Sequence, residues 1–365
     1  MKINKKLQQL FKVFCQKIFF LFYGKILYHN DYDFLKDNKL NEIKRVRIDN
    51  INYNCYIVNN GIIYTDLVQS VSVISNKNLI PGANFQKINN ILVNDRENVC
   101  LTKGTPRIKK KIKGTVVSLI QDASGKNYSH WFLDILPKLE ILNKIISIDA
   151  VDYFLMPELR YKFQYETLKA LNIPLNKIID SSLNRHLQAE KLIIIEHPWY
   201  NKGSVHDEMA NVPTWIVKWL RLQFLNIIKN QSTNLKIFID RSDSFFKHCQ
   251  IINLKEVWNF LEKKGFKKYK LSEINFSEQI SIFNSANTIV GAHGAGLANI
   301  IFSERNTKII EIKPIDHQNQ IFSKISDINN LDHKLMLTKN PIKKLKNMPG
   351  DIFVDIESLN RILDN

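Results

Sequence analysis

Val290-Gly291-Ala292-His293-Gly294-Ala295-Gly296-Leu297-Ala298-Asn299 is the stretch on which the fold turns. It leaves an apolar run over 288–292, passes glycines at 291, 294 and 296, and enters a short segment of helical spacing. An apolar strand that breaks at glycines before a helix belongs to a parallel-sheet crossover, where backbone amides and a helix N-terminus can face an anion. The glycine spacing fits neither GxGxxG nor a Walker loop. Alone, the segment reads equally as an anion-binding turn or as a tight turn around a buried His293.

Outward from the loop the alternation continues. The pattern predicts a strand over 236–240, a helix over 254–264 closed by Gly265, a strand over 267–271, a helix over 278–284 with Ser277 as N-cap, and a strand over 308–312. This is a Rossmann-like unit, whose ligands gather outside the carboxyl ends of the strands. Arg241, in Phe238-Ile239-Asp240-Arg241-Ser242-Asp243, follows the first strand and so shares a crevice with the glycine loop. Its planar fork suits a phosphate; the rival reading is a surface arginine paired with Asp240 or Asp243.

The first half alternates too, with strands over 116–120, 152–156 and 191–196 and helices over 130–146 and 161–171. A helical stretch over 212–229 leads to Gln231-Ser232-Thr233-Asn234, a polar boundary. Ahead of this, 44–67 alternates in strand fashion around Asn59-Asn60-Gly61, which reads as a hairpin turn in an N-terminal β extension. The expected organisation is α/β, with a helix over 1–28, a domain over 29–230 and a second over 231–365.

Within the first domain, Gly125-Lys126-Asn127-Tyr128-Ser129-His130-Trp131-Phe132-Leu133-Asp134 places His130 and Asp134 four residues apart on one helical face, with Asn127 at its start. Either could act as general base toward a hydroxyl, or Asp134 could simply pin a structural histidine. His197-Pro198-Trp199-Tyr200 and His206-Asp207-Glu208 follow the last strand of that domain and are weaker candidates for a groove.

Composition narrows the partners. With 365 residues, 44% of them hydrophobic, the chain buries a sizeable core and is not a disordered protein. Its 52 lysines and arginines against 35 acids leave a net charge of +17, which favours anionic partners. No basic face interleaved with aromatics points to nucleic acid, and the run Lys109, Lys110, Lys111 and Lys113 reads as a solvated face. Cys15, Cys55, Cys100 and Cys249 stand apart, so neither a zinc site nor a disulfide framework is expected, and a reducing, cytoplasmic setting is. Near the start, Leu7, Leu10, Phe11, Phe14, Ile18 and Leu21 recur at helical spacing among lysines, and no apolar run reaches the roughly 18 residues of a spanning helix. Such a basic amphipathic helix suits an anionic bilayer surface or packs on the protein's own body.

Together these segments resemble glycosyltransferase family 61, which includes bacterial capsular polysaccharide transferases and eukaryotic xylosyl- and N-acetylglucosaminyltransferases. The resemblance is carried by Asn127-Tyr128-Ser129-His130-Trp131 with Asp134 and Leu136-Pro137-Lys138-Leu139, by Ile239-Asp240-Arg241, and by Asn253 with Glu256-Val257. It continues through Gly265-Phe266, Glu278-Gln279-Ile280, Ala286, the loop from His293 to Asn299, and Ile309-Ile310-Glu311.

It implies a GT-B-like fold of two Rossmann-like domains facing a cleft, inversion at the anomeric carbon, no metal, and no cofactor beyond a nucleotide-sugar cosubstrate. By position, Arg241, His293, Gly294, Ala295, Gly296, Leu297 and Asn299 would hold the donor diphosphate, and Glu278, Gln279 and Glu311 would shape the nucleotide pocket. His130 and Asp134 would face them with Asn127 and Trp131 on the acceptor side. Family members often carry arginines shortly before the position of Asn253; here Lys247 and His248 stand there, and one or the other would supply the charge, failing which the diphosphate is held more weakly or the donor differs. The implied acceptor is a glycan or lipid-linked glycan of a surface polysaccharide, worked on at the inner face of the cytoplasmic membrane. A noncatalytic sugar-nucleotide or glycan-binding relative is the alternative.

Overall fold

The computed structural model describes residues 5–29, 41–65, 70–89, 91–121, 125–200, 211–228, 234–244, 248–339 and 349–364. The chain forms two compact units, the first of Met1–Arg160 and Ile173–Val205, the second of Tyr161–Asn172 and His206–Asn365.

The first unit is built on one twelve-stranded sheet. Its main strands are β1 (Asn41–Ile48), β2 (Ile51–Asn59), β3 (Ile62–Tyr64), β4 (Ser70–Ser75), β5 (Lys110–Ser118), β6 (Tyr153–Met156), β7 (Ile178–Asp180) and β8 (His186–Ile195). Four two- to four-residue strands complete it. At its centre β5 lies parallel to both β8 and β6, with Val116 and Val117 opposite Leu192 and Ile193. These β-branched runs are buried on both faces, as a parallel sheet covered by helices requires.

Asn59-Asn60-Gly61 is not a hairpin turn. β2 and β3 lie end to end along the same partner, β2 against Lys191–Ile195 and β3 against His186–Gln188, both antiparallel. β8, ten residues long with a register shift between Ala189 and Lys191, offers an edge for both. Asn60, at φ +51, makes the bend, and a Cβ on Gly61 would come within 2.8 Å of Leu192 Cβ. The hairpin reversal lies instead between β1 and β2, where Asp49 has φ +50. The N-terminal strands therefore complete the sheet through β8 rather than forming an appended extension.

Helix α1 (Lys5–Tyr23) meets this unit by its last turn. Tyr23 packs edge-on to His186 at 5.0 Å, and Phe20 fills the space a side chain on Gly104 would need. Its earlier turns leave Leu7, Leu10, Phe11 and Phe14 exposed. The end of the helix thus packs on the protein's own body.

In the second unit, β9 (Leu235–Ile239), β10 (Lys267–Tyr269), β11 (Ala286–Ala292), β12 (Lys308–Pro314) and β13 (Asp332–Thr338) form an all-parallel sheet in the order β10-β9-β11-β12-β13. Its helices are α2 (Lys162–Ala170), α3 (Thr214–Phe224), α4 (Leu254–Lys263), α5 (Phe276–Ser285), α6 (Ile321–Asn329) and α7 (Ile356–Asp364). Phe238, Val257, Leu261, Val290, Ile310 and Leu359 form one buried core. Phe224, Phe276 and Phe302 meet edge to face at 5.0 to 6.2 Å in another cluster. Gly265 ends α4 at φ +83 with open space around it, so conformation alone explains that glycine. Helix α5 starts before the expected Ser277: Asn275 is the cap, accepting from the Glu278 amide, and Glu166 of α2 accepts the Phe276 N–H at 2.8 Å.

Candidate functional site

In the second unit the polar residues gather where β9, β11 and β12 end. Arg241 leaves β9 and lays its guanidinium against the backbone beyond β11, donating to the His293 carbonyl and, at 3.4 Å, to Ser244 Oγ. A Cβ on Gly294 would stand 2.6 Å from Arg241 Cζ. Gly294 is extended at φ 168, so room for the arginine, not backbone strain, demands a glycine. The acids expected beside Arg241 have other bonds, Asp240 accepting the Ser242 N–H at 2.9 Å and Asp243 the Ser272 hydroxyl at 2.6 Å. Burial lowers the Arg241 pKa, but a guanidinium stays charged.

Behind the loop, His293 Nδ1 bonds Glu311 Oε1 at 2.5 Å and His333 Nε2 bonds Glu311 Oε2 at 2.9 Å. Glu311 is only 2% exposed. Burial would raise its carboxyl, but the hydrogen bonds from the His293 and His333 rings outweigh this and bring it to about 2. Burial pushes His293 down, so the neutral ring donates from Nδ1 to a fixed carboxylate. His317, ring to ring with His293 at 4.0 Å, is pushed to about 3 by burial and then by His293 and Lys313, and His248 to about 4 by burial and then by Arg241. Arg241 is thus set among imidazoles that burial keeps neutral.

The other expected donor residues take separate places. Gln279 and Asn299 are buried braces: Asn299 Nδ2 bonds Gln279 Oε1 at 3.2 Å, and Gln279 Nε2 bonds the Leu271 carbonyl at 2.9 Å. Ala295, Gly296 and Leu297 open the 3₁₀ helix Ala295–Phe302, with Leu297 packed onto Gly291. Glu278 is exposed and lines a groove with Lys267, Tyr269 and Asn275. Lys247 lies outside the described residues, as do His206, Asp207 and Glu208. His317 and His333 were missed, although His333 stands in register with Ile309 on β12, two residues from Glu311.

In the first unit, Asn127 caps the helical segment 128–143, accepting from the amides of Ser129 and His130. The stretch Trp131–Ile135 is wound as a π-helix, with Leu136 N–H reaching the Trp131 carbonyl. Pro137 has no N–H to offer the Leu133 carbonyl, which favours the wider turn. Trp131 is wholly buried. His130 Nδ1 bonds Asp134 Oδ2 at 2.8 Å, and Asp134 Oδ1 accepts from the Trp199 indole at 2.9 Å.

His197 stands over the same oxygen, its Nε2 3.6 Å away. Its Nδ1 accepts the backbone N–H of Trp199 and of Tyr200, so the ring carries its proton toward Asp134. Burial alone would raise Asp134, but His130 and His197 hold it well below the usual carboxylate range. Asp134 is 2% exposed and the His130 side chain 15%, so the acid is committed inside and the imidazole is the member that reaches outward. A histidine backed by a buried carboxylate is built to take up a proton.

The family model described as Glycosyltransferase 61 matches residues 128–310, half of the chain. A β-1,2-xylosyltransferase of Oryza sativa subsp. japonica is 27% identical over 30% of this chain and 24% of its own. A β-1,2-xylosyltransferase of Arabidopsis thaliana is 33% identical over 19% and 13%, and an α-1,3-arabinosyltransferase of Oryza sativa subsp. japonica 37% identical over 17% and 12%. The chain thus spans at most a quarter of the length of these relatives.

Proposed function

Because the chain belongs to glycosyltransferase family 61, we propose that it moves a sugar from a nucleotide-sugar donor to a hydroxyl of a glycan, with inversion at the anomeric carbon and in a GT-B arrangement. The observation that carries this reading is Arg241, seated against Gly294 at the carboxyl ends of parallel strands, where such sheets take phosphorylated ligands. There the guanidinium and the amides opening the helix Ala295–Phe302 stabilise charge on the departing diphosphate. They supply what a metal ion would otherwise supply, so the transfer is read as metal-independent. Neutral His293, oriented by Glu311, offers a hydrogen bond without competing charge.

His130 removes the acceptor proton, and Asp134 holds the ring and stabilises the imidazolium that forms. The pentose names of the relatives make nucleotide-pentoses the donors to try first. We assign the acceptor to a lipid-linked surface glycan of the capsular type, at the cytoplasmic face of an anionic membrane on which the exposed residues of α1 would lie. Among the described residues no helix is long and apolar enough to cross a membrane.

The test is a thermal-shift screen against nucleotide sugars, followed by transfer assays with the stabilising donor. Arg241→Ala is expected to abolish the stabilisation. His130→Ala should keep it and lose roughly 10²–10⁴-fold in transfer rate. Donor stabilisation and turnover unchanged in both variants would sink the assignment.

A further inference from the structure

The first unit contains a cavity of about 240 Å³ that the transfer chemistry above does not use. A single water needs only roughly 10–15 Å³ on such a measure, so the space is that of a small molecule. Tyr56, Phe85 and Tyr200 give it aromatic walls, and Ser118 and Gln121 give it neutral polar groups. Flat apolar faces beside a few polar groups suit a sugar ring, whose C–H faces are apolar and whose rim is hydroxylic.

Lys138 also lines it, 2% exposed, one helical turn beyond Asp134. Among the described residues its ammonium has no hydrogen-bonded or ion-paired acceptor, and Asp134 and Cys55 act on it only at longer range. A buried cation without an acceptor is costly unless something supplies the opposite charge. The lining carboxylates are engaged elsewhere: Asp95 accepts the Gly82 N–H at 2.7 Å and Glu196 the Asn54 N–H at 2.8 Å. Asp134 is committed to His130, Trp199 and His197.

We propose that this cavity binds one anionic sugar residue of the acceptor, its carboxylate or phosphate paired with Lys138. The assignment rests on the reading of the acceptor as a glycan. It places the acidic residue beside His197, which lines the cavity and also faces Asp134. Occupancy therefore bears on the carboxylate that orients His130. Burial lowers the Lys138 amine to about 7, and an anion in the cavity restores its charge.

Calorimetric titration of the full chain at pH 6.5, without nucleotide, tests it using glucuronate, glucose 6-phosphate, glucose and inorganic phosphate. One of the two sugar acids should bind at least tenfold more tightly than glucose or phosphate, and which one names the anion. Lys138→Met, which replaces a buried charge by an apolar chain of similar length, should lose at least tenfold in that affinity with an unchanged melting temperature. Should that variant fail to fold, acetylation of Lys138 in the wild-type chain, followed by mass spectrometry, must slow when the sugar acid is present.

Neither acid binding, phosphate binding as well as both, equal affinity in Lys138→Met, or no protection of the amine would each overturn the site. Sugar-acid binding by a chain that transfers nothing removes the transferase reading alone. Transfer to a neutral acceptor with no acid bound removes this site alone.

Discussion

At the scale of single residues, the two polar clusters differ in what holds them. Asp134 is fixed by His130 on its own segment and by Trp199, 65 positions along the chain. The first partner was legible from the spacing of four; the second was not, because nothing in His197-Pro198-Trp199-Tyr200 announces a fold that closes over a carboxylate. Asp134→Asn keeps the shape but reverses a hydrogen-bond preference, so transfer should fall by roughly 10³–10⁴-fold with little change in donor affinity; steady-state kinetics would show the loss in kcat. Gly294→Ala attacks the other cluster. Its Cβ would stand 2.6 Å from the Arg241 guanidinium, which must move away, and donor binding should weaken by about 1–3 kcal/mol. Unaltered affinity for the stabilising nucleotide sugar in that variant would show that Arg241 need not sit against the loop.

Elements were more legible than their joints. The helix over 130–146 was expected as one regular piece, whereas Trp131–Ile135 is a π stretch ahead of Pro137. Pro137→Ala restores an N–H that lets ordinary helix propagate, which would rotate His130 against Asp134. Stability should change by no more than about 1 kcal/mol while transfer falls at least tenfold, read by denaturant melts alongside an activity assay. The Asn59-Asn60-Gly61 bend shows why joints are hard to read: the same turn residues serve a reversal or a kink, and the long edge of β8 decides between them. For α1 the hydrophobic spacing was plain, but not that Phe20 and Tyr23 pack on the first unit while Leu7 to Phe14 stay exposed. Phe11→Asp with Phe14→Asp, both on the exposed stretch, should release the protein from anionic liposomes in a flotation assay and leave its melting temperature unchanged.

For the whole molecule, alternation of strand and helix was enough to foresee two parallel arrangements, since a crossover needs its covering helix. Sequence pattern did not reveal how many N-terminal strands join the first sheet, because pairings such as β4 with Phe85–Ile88 are non-local. Charge burial sets a molecular property, the response to acid. His186 and His248 are held at about 4 and His317 at about 3, all below the ordinary 6.5, with burial the largest cause for each. Between those limits the unfolded chain binds more protons than the folded one, so stability present above pH 6.5 is lost as pH falls. Glu311, lowered from 4.5 to about 2, extends the loss in the same direction. These losses act in one direction, and acid unfolding is expected with a midpoint at about pH 4; circular dichroism across pH 3–7 checks it.

Lys162–Ala170 sits in the sequence between two strands of the first unit yet counts with the second, so the chain passes from one unit to the other three times. No single cut yields either unit whole. Recombination with a foreign partner must therefore exchange three junctions at once to move the second unit intact, and a shuffled gene with one crossover would carry a unit missing α2, whose Glu166 caps α5. The threading of the backbone makes the pair inherit together.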